Sequence, residues 1–255
     1  MKNYIVKNKT IIFSPNFNKK IEVGLLEKYF NVIFSNCELN EDLFVCYINN
    51  DFNDLKDIGS RFDQQINLPP NLTHLTFDYI FNQQVNLPPN LTHLTFGWAF
   101  NQQVILPPNL THLTFGWNFN QQVNLPQYLT HLTYGFHFNQ QVNFPFSVKF
   151  LKLECNNVNI IDYLPDSVKE LVLGFDFNLK LNDLPSSIKK LVIKNEYYNH
   201  ELNCLPNNLE YLELNSAYDK EIKNYPKQLK KIKCSKGYKY INEIKQNDFE
   251  VEIYN

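Results

Sequence analysis

Apolar and polar positions alternate in a short phrase that returns along the chain. In Leu68-Pro69-Pro70-Asn71-Leu72-Thr73-His74-Leu75-Thr76-Phe77 the closing residues have period two. That period predicts a short strand with Leu75 and Phe77 inward and His74 and Thr76 outward. Asp78 is expected to point outward as well. Proline cannot donate to a sheet ladder, so Pro69 belongs to the turn that leads into the strand.

The phrase from Phe62 to Phe77 comes back from Phe81, Phe100 and Phe119 at a spacing of 19 residues. Its proline recurs as Pro69, Pro88, Pro107, Pro126, Pro145, Pro165, Pro185, Pro206 and Pro226, with steps of 19 residues early and 20 or 21 later. Self-similarity at this period predicts a solenoid of nine coils, each burying its apolar face only against its neighbours. Leu72, Leu75, Phe77, Phe81 and Val85 are the expected core of one coil. Strands in register lie about 4.8 Å apart, so every outward residue becomes a ladder of like side chains. Asn82, Asn101, Asn120 and Asn139 follow the buried Phe and are expected to form a buried amide ladder that satisfies turn backbone. No segment between strands carries a helical stripe, so the return of each coil is expected to be extended or 3₁₀.

The flanks read differently. Residues 1–60 are expected to be an amino-terminal capping region of mixed strands and a short helix, residues 61–240 the repeats, and residues 241–255 a carboxyl-terminal capping strand. Within the first region, residues 4–6 and 10–13 read as a hairpin, 21–30 as a helix interrupted by Gly24, and 32–34 and 43–48 as strands. Alternation from Asp248 to Ile253 reads as a closing strand whose charged outer face blunts edge pairing.

Composition narrows the class. A hydrophobic fraction of 44% suits a globular chain. A net charge of −2 sets up no field that would favour nucleic acid or an anionic membrane. No run approaches the roughly 20 apolar residues of a membrane span, and Met1 to Lys7 lacks the apolar run of a secretory signal. Cys37, Cys46, Cys155, Cys204 and Cys234 are scattered, with no CxxC pair, and read as free thiols in a reducing compartment. The expected location is intracellular, cytoplasmic or nuclear, and not secreted. Charge is uneven: Asp78 is the only formal charge between Gln64 and Val148, while five of the six histidines lie in that stretch.

No glycine-rich phosphate loop, nucleophile motif or carboxylate cluster is present, so the chain reads as no enzyme, with no cofactor. His74, His93, His112 and His131 share one outward position. Imidazole is the commonest metal ligand, and tilted neighbours could bring ring nitrogens to the 2.0–2.1 Å (approximately) that zinc requires. A metal- or ligand-binding surface on this ladder and its companion threonines (Thr76, Thr95, Thr114, Thr133) is therefore the alternative function. Tyr79, Trp98, Trp117 and Phe136 form a second stripe, read as packed between coils.

Further along, the same outward positions become Phe150, Glu170, Lys190, Tyr211 and Lys231, and beside them Lys152, Val172, Val192, Glu213 and Lys233. Mixed apolar and charged strips suit protein recognition. The candidate binding face is His74, His93, His112, His131, Phe150, Lys152, Glu170, Lys190, Tyr211, Glu213, Lys231 and Lys233. The partner is a protein, with neither nucleic acid nor membrane expected. The lysines between Lys227 and Lys239 read as a solvated face.

Phe-Asn followed by Leu-Pro-x-x-Leu-x-x-Leu-x-Phe-Gly resembles the FNIP repeat, a leucine-rich-repeat relative common in social amoebae and giant DNA viruses. The resemblance covers about residues 62–235; Gln83-Gln84 and their equivalents depart from it within its variable part. It implies a mainly β, right-handed leucine-rich-repeat-like solenoid with one parallel β-sheet of about nine short strands, largely non-helical returns and a small amino-terminal cap. It also implies a non-catalytic scaffold for protein–protein interaction. Some members carry an F-box and serve as substrate-recognition subunits of ubiquitin ligases; residues 1–60 show no recognisable F-box.

Overall fold

Each proline turn closes through one hydrogen bond. The Pro69 carbonyl accepts from the N–H of Leu72 (3.3 Å), and the same bond recurs from Pro88 to Leu91 and onward to Pro226 and Leu229. Turns of this kind favour proline at their second position, which Pro70, Pro89 and Pro108 supply. The turn delivers the chain directly into a strand.

The computed structural model describes residues 4–7, 10–13, 21, 31–34, 62–77 and 79–254. The helix expected within 21–30, the strand expected at 43–48 and the outward Asp78 lie outside the described residues. The chain falls into two compact units, residues 1–129 and 130–255.

In the first unit, β1 (Tyr4–Lys7) pairs antiparallel with β2 (Thr10–Phe13). Then β3 (Asn31–Phe34), β4 (His74–Thr76), β5 (His93–Thr95) and β6 (His112–Thr114) follow, each parallel to the strand before it. In the second unit, β7 (His131–Tyr134), β8 (Phe150–Leu153), β9 (Glu170–Leu173), β10 (Lys190–Ile193), β11 (Tyr211–Glu213), β12 (Lys231–Ser235) and β13 (Glu250–Tyr254) are all parallel and in order. Among the described residues the nine strands β4 to β12 each follow one of the nine proline turns. Register is residue for residue: His74 faces His93, and Leu75 faces Leu94.

Stacking builds the core the repeat requires. Leu72, Leu75, Phe77 and Phe81 are buried, as are their equivalents in the next coils. Phe77 and Phe81 stack within their coil at 3.7 Å, and Phe77 meets Phe96 of the next at 5.9 Å. Val85 departs from expectation. It is half-exposed, with Ile66 and Val104 beside it, on the rim of an open groove that also holds the almost fully exposed Ile105. The strand and the Phe pair already close the coil, leaving the return segment at the surface.

The asparagine ladder is not buried: Asn82, Asn101 and Asn120 are half-buried and Asn139 is exposed, and the role of the first two is specific. Asn82 Oδ1 accepts the backbone N–H of Asn101 and the side-chain amide of Gln102, and Asn101 Oδ1 accepts those of Asn120 and Gln121. One side chain thus satisfies a turn N–H of the following coil, a group that would otherwise compete for water.

Two short helices interrupt the expected non-helical returns. The first, α1 (Val158–Ile161), is capped by Asn157, whose side chain accepts from the N–H of Asn159. This coil lacks the usual return Phe, and the helix turns Ile160 and Ile161 into the core instead. The second, α2 (Ile241–Ile244), lies between β12 and β13 and buries Ile244. Cys155, Cys204 and Cys234 are free thiols, and burial pushes Cys155 up to about 11.

Candidate protein-binding face

Strand geometry fixes what the outward positions present. The candidate residues fall into two groups, one in each unit. In the first, His74 and His93 stack with ring centroids 4.1 Å apart and planes within 12°, and His93 and His112 repeat the arrangement at 4.1 Å and 11°. Each ring is held from behind by the threonine before it: Oγ1 of Thr73, Thr92 and Thr111 lies 2.9 Å from Nδ1 of the following histidine.

This geometry disfavours the metal reading. A ligating lone pair lies in the ring plane, and nearly parallel rings aim their lone pairs along parallel lines. Two neighbours therefore do not converge on one ion at the ~2.0–2.1 Å of a zinc–imidazole bond. Among the described residues, no three His, Cys, Asp or Glu side chains are grouped to hold one.

Stacking and burial withdraw part of the His74 ring from water, which disfavours its cation and holds its pKa below 6.5. The folded state then binds fewer protons than the unfolded chain. The resulting stability is fully present above the unfolded value of about 6.5 and is lost as pH falls through the lower folded one. An NMR titration of His74 should give a midpoint below about 6.5. A midpoint at or above that value would show that the ring is not desolvated.

In the second unit His131 stacks on Phe150 at 5.5 Å, and from there the face changes character. Lys152 pairs with Glu154 (2.6 Å) and Lys190 with Glu170 (3.2 Å). Lys190 also sits over the Tyr211 ring, whose hydroxyl donates to Glu213 (2.8 Å). Burial, reinforced by the Glu213 carboxylate, pushes the Tyr211 pKa up, so it stays a neutral donor. Beyond it, Lys231 binds Glu250 and Glu252, and Lys233 lies between Glu213 and Glu252. Beside the face, Lys189 and Lys230 clamp Glu210 and push it down to about 2.

Val172 and Val192 correct the expected pattern. They occupy outward positions yet are only 8% and 4% exposed. In the ladder they lie between Lys152 and Glu213, and long side chains cover an apolar neighbour with their stems while keeping their charges wet. The result is a groove of about 600 Å³ across β8 to β11, its floor formed by the two valines. No single residue signals it in the sequence; it requires valine in two consecutive coils with bulky neighbours on both sides.

The aromatic stripe is packed between successive coils, as expected, while remaining half-exposed. Trp98 and Trp117 stack at 4.5 Å with planes 3° apart, and Tyr79 meets Trp98 at 5.7 Å. Both faces of the Trp98 ring are thus occupied by neighbouring rings. Phe136, in the second unit, contacts His137 edge-on.

The FNIP Repeat family model matches residues 62–97, 81–105, 100–137, 156–195, 175–216 and 198–237. Among solved structures, this chain is similar to CroV588, described as a novel circular LRR protein, at 29% identity and a TM-score of 0.58. That alignment covers 89% of this chain and 36% of CroV588. YopM from Yersinia enterocolitica WA-314 is similar at 19% identity and a TM-score of 0.54, covering 83% of this chain and 43% of YopM. The chain thus spans well under two thirds of either protein. Comparison with curated proteins finds no match.

Proposed function

Because the chain belongs to the FNIP repeat family, with leucine-rich-repeat-type solenoids as its structural neighbours, we propose that it is a non-catalytic scaffold that binds a protein partner on its exposed strand face. Solenoids of this type commonly serve as interaction scaffolds and are typically not enzymes. Residues 1–60 and 241–255 act in this reading as caps over the open ends of the repeats. Among the described residues no helix is long and apolar enough to cross a membrane.

The observation that carries the proposal is the groove over β8 to β11. It gathers Phe150, Lys190 and Tyr211, three of the residues singled out from sequence, around an apolar floor. Hot spots in interfaces are enriched in aromatic anchors seated beside such floors. The histidines of the first unit, by contrast, spend their faces on each other. The lysines near the carboxyl-terminal end support a protein partner over a nucleic acid, since Lys230, Lys231 and Lys233 are already matched to carboxylates.

The test is capture of a partner from the native host cytosol, followed by alanine at Phe150, Lys190 and Tyr211. Each should weaken binding without lowering the melting temperature. Alanine at Trp98 or Trp117 should act mainly through stability. If the tryptophan variants stay folded and lose the partner while the strand-face variants bind normally, the aromatic stripe is the binding face and this reading is rejected.

A further inference from the structure

The groove in the second unit has a floor, two ends and a rim, and each constrains what fits. The floor is Val172 and Val192, which can only accept an apolar group. The ends are Phe150 on β8 and Tyr211 on β11, three strand steps apart, or about 14 Å at the usual spacing. The rim carries Lys152, Lys190 and Lys194 against one carboxylate, Glu213.

The four charges are not equivalent. Glu213 is occupied by the Tyr211 hydroxyl and faces Lys233 at 3.9 Å. Lys190 holds Glu170 at the surface, a kind of contact that is weak and readily exchanged, whereas Lys152 is held more firmly by Glu154, a largely covered carboxylate that also accepts the N–H of Phe175. Lys194 is exposed and forms no ion pair among the described residues. The open valences of the rim are therefore positive, around a floor that is apolar.

We propose that this groove binds an acidic segment of a partner protein, in which an apolar side chain is flanked by carboxylates. The inference rests on the protein-binding reading above and names the partner's chemistry. The apolar side chain seats on Val172 and Val192 between the two aromatic rings. The flanking carboxylates reach Lys190 before Val192 and Lys194 after it along the strand. A nucleic-acid backbone suits the groove poorly, because it offers nothing to the valine floor and would meet Glu170 and Glu213 along the strand face.

The probe is a fluorescent peptide with one leucine flanked on each side by two glutamates, titrated against the full chain at low salt and followed by anisotropy. Three comparison probes carry alanine for the leucine, lysine for the glutamates, or a single-stranded oligonucleotide in place of the peptide. The acidic leucine peptide should bind, and added salt should weaken it. Lys190→Glu/Lys194→Glu should weaken it by about tenfold or more, since two attractive contacts become repulsive. Phe150→Ala should also weaken it, while Lys180→Glu, outside the groove, should not. If the double reversal lowers the melting temperature, the milder Lys194→Gln serves, with a several-fold loss expected.

No binding of the acidic peptide, equal binding of the lysine or alanine probe, preference for the oligonucleotide, or indifference to the charge reversals would each overturn the inference. These outcomes are separable from the broader reading. A captured partner that maps to Phe150, Lys190 and Tyr211 but presents no acidic segment removes only this inference. Specific peptide binding alongside a partner mapped to another face removes the proposed function and leaves the groove's chemistry intact.

Discussion

Leu113→Asp should lower stability by about 4 kcal/mol or more, and the neighbouring Thr114→Asp by about 1 kcal/mol or less. Leu113 is 2% exposed at the centre of β6, in register with Leu94. Replacing it removes a buried aliphatic side chain and places a carboxylate where no cation can reach it, so the site must either protonate or open. Thr114 is half-exposed on the outward side, where a carboxylate remains hydrated and the main cost is poorer fit to a pleated strand. For a chain of this size the first substitution corresponds to a fall of about 10 °C or more in melting temperature. Circular dichroism melts of both variants decide the matter, and comparable melting temperatures would reject the inward–outward phase of every early strand.

Gly116→Ala should be the second severe lesion, although it adds a single methyl group. A Cβ at this position would lie 2.0 Å from the carbonyl oxygen of Gly97 and 2.3 Å from its carbon. Both are backbone atoms of the preceding coil, so relief requires that the coils separate locally, at a cost of about 1–3 kcal/mol or more. Gly174 supplies the control. A Cβ there would meet the Glu154 carboxylate at 1.8 Å, the far end of a flexible side chain. Glu154 can swing aside, giving up its bond to the N–H of Phe175 (2.8 Å) and its contact with Lys152. Gly174→Ala should therefore cost about 1–2 kcal/mol, and much of that should vanish when Glu154 is already alanine, because the two changes remove the same contact. Urea denaturation of the single and double variants checks both claims. A Gly116→Ala variant as stable as the parent would mean the coils are not in backbone contact at Gly97.

The repeat frame made much of this legible in advance. A spacing of 19 residues with parallel strands forces His74, His93 and His112 into line, and the Leu75–Phe77 alternation sets their direction. The frame became less informative wherever a coil departed from it. Ile160 and Ile161 stand in a return that has no Phe, and a four-residue helix is too short to leave a periodic stripe. Val172 and Val192 sit where threonine sat before, and alternation alone counts them as exposed; only the lengths of their cross-strand neighbours bury them. The late return positions carry Tyr218 and Tyr238 where early coils have Phe. Their hydroxyls donate to the carbonyls of His200 (3.1 Å) and Lys220 (2.7 Å) in the preceding coil. That bond depends on a backbone approach about 18 residues away in sequence, which periodicity implies but does not aim. The candidate groove was legible as a strip and not as a cavity, since its depth comes from combining four strands.

The asparagine ladder has a direction. Asn101 and Asn120 donate their backbone N–H groups backward to the side chains of Asn82 and Asn101, and Thr92 and Thr111 donate their hydroxyls backward to the carbonyls of Thr73 and Thr92. In each of these bonds the earlier coil accepts and the later coil donates. A ribosome delivers the earlier coil first. Each coil leaving the exit tunnel thus meets this row of acceptors already laid down, whereas the N–H groups of Phe77 and Phe96 wait for the carbonyls of Thr95 and Thr114 in the coil that follows; the asparagine and threonine bonds can form as each early coil is made, and the strand ladder closes one coil later.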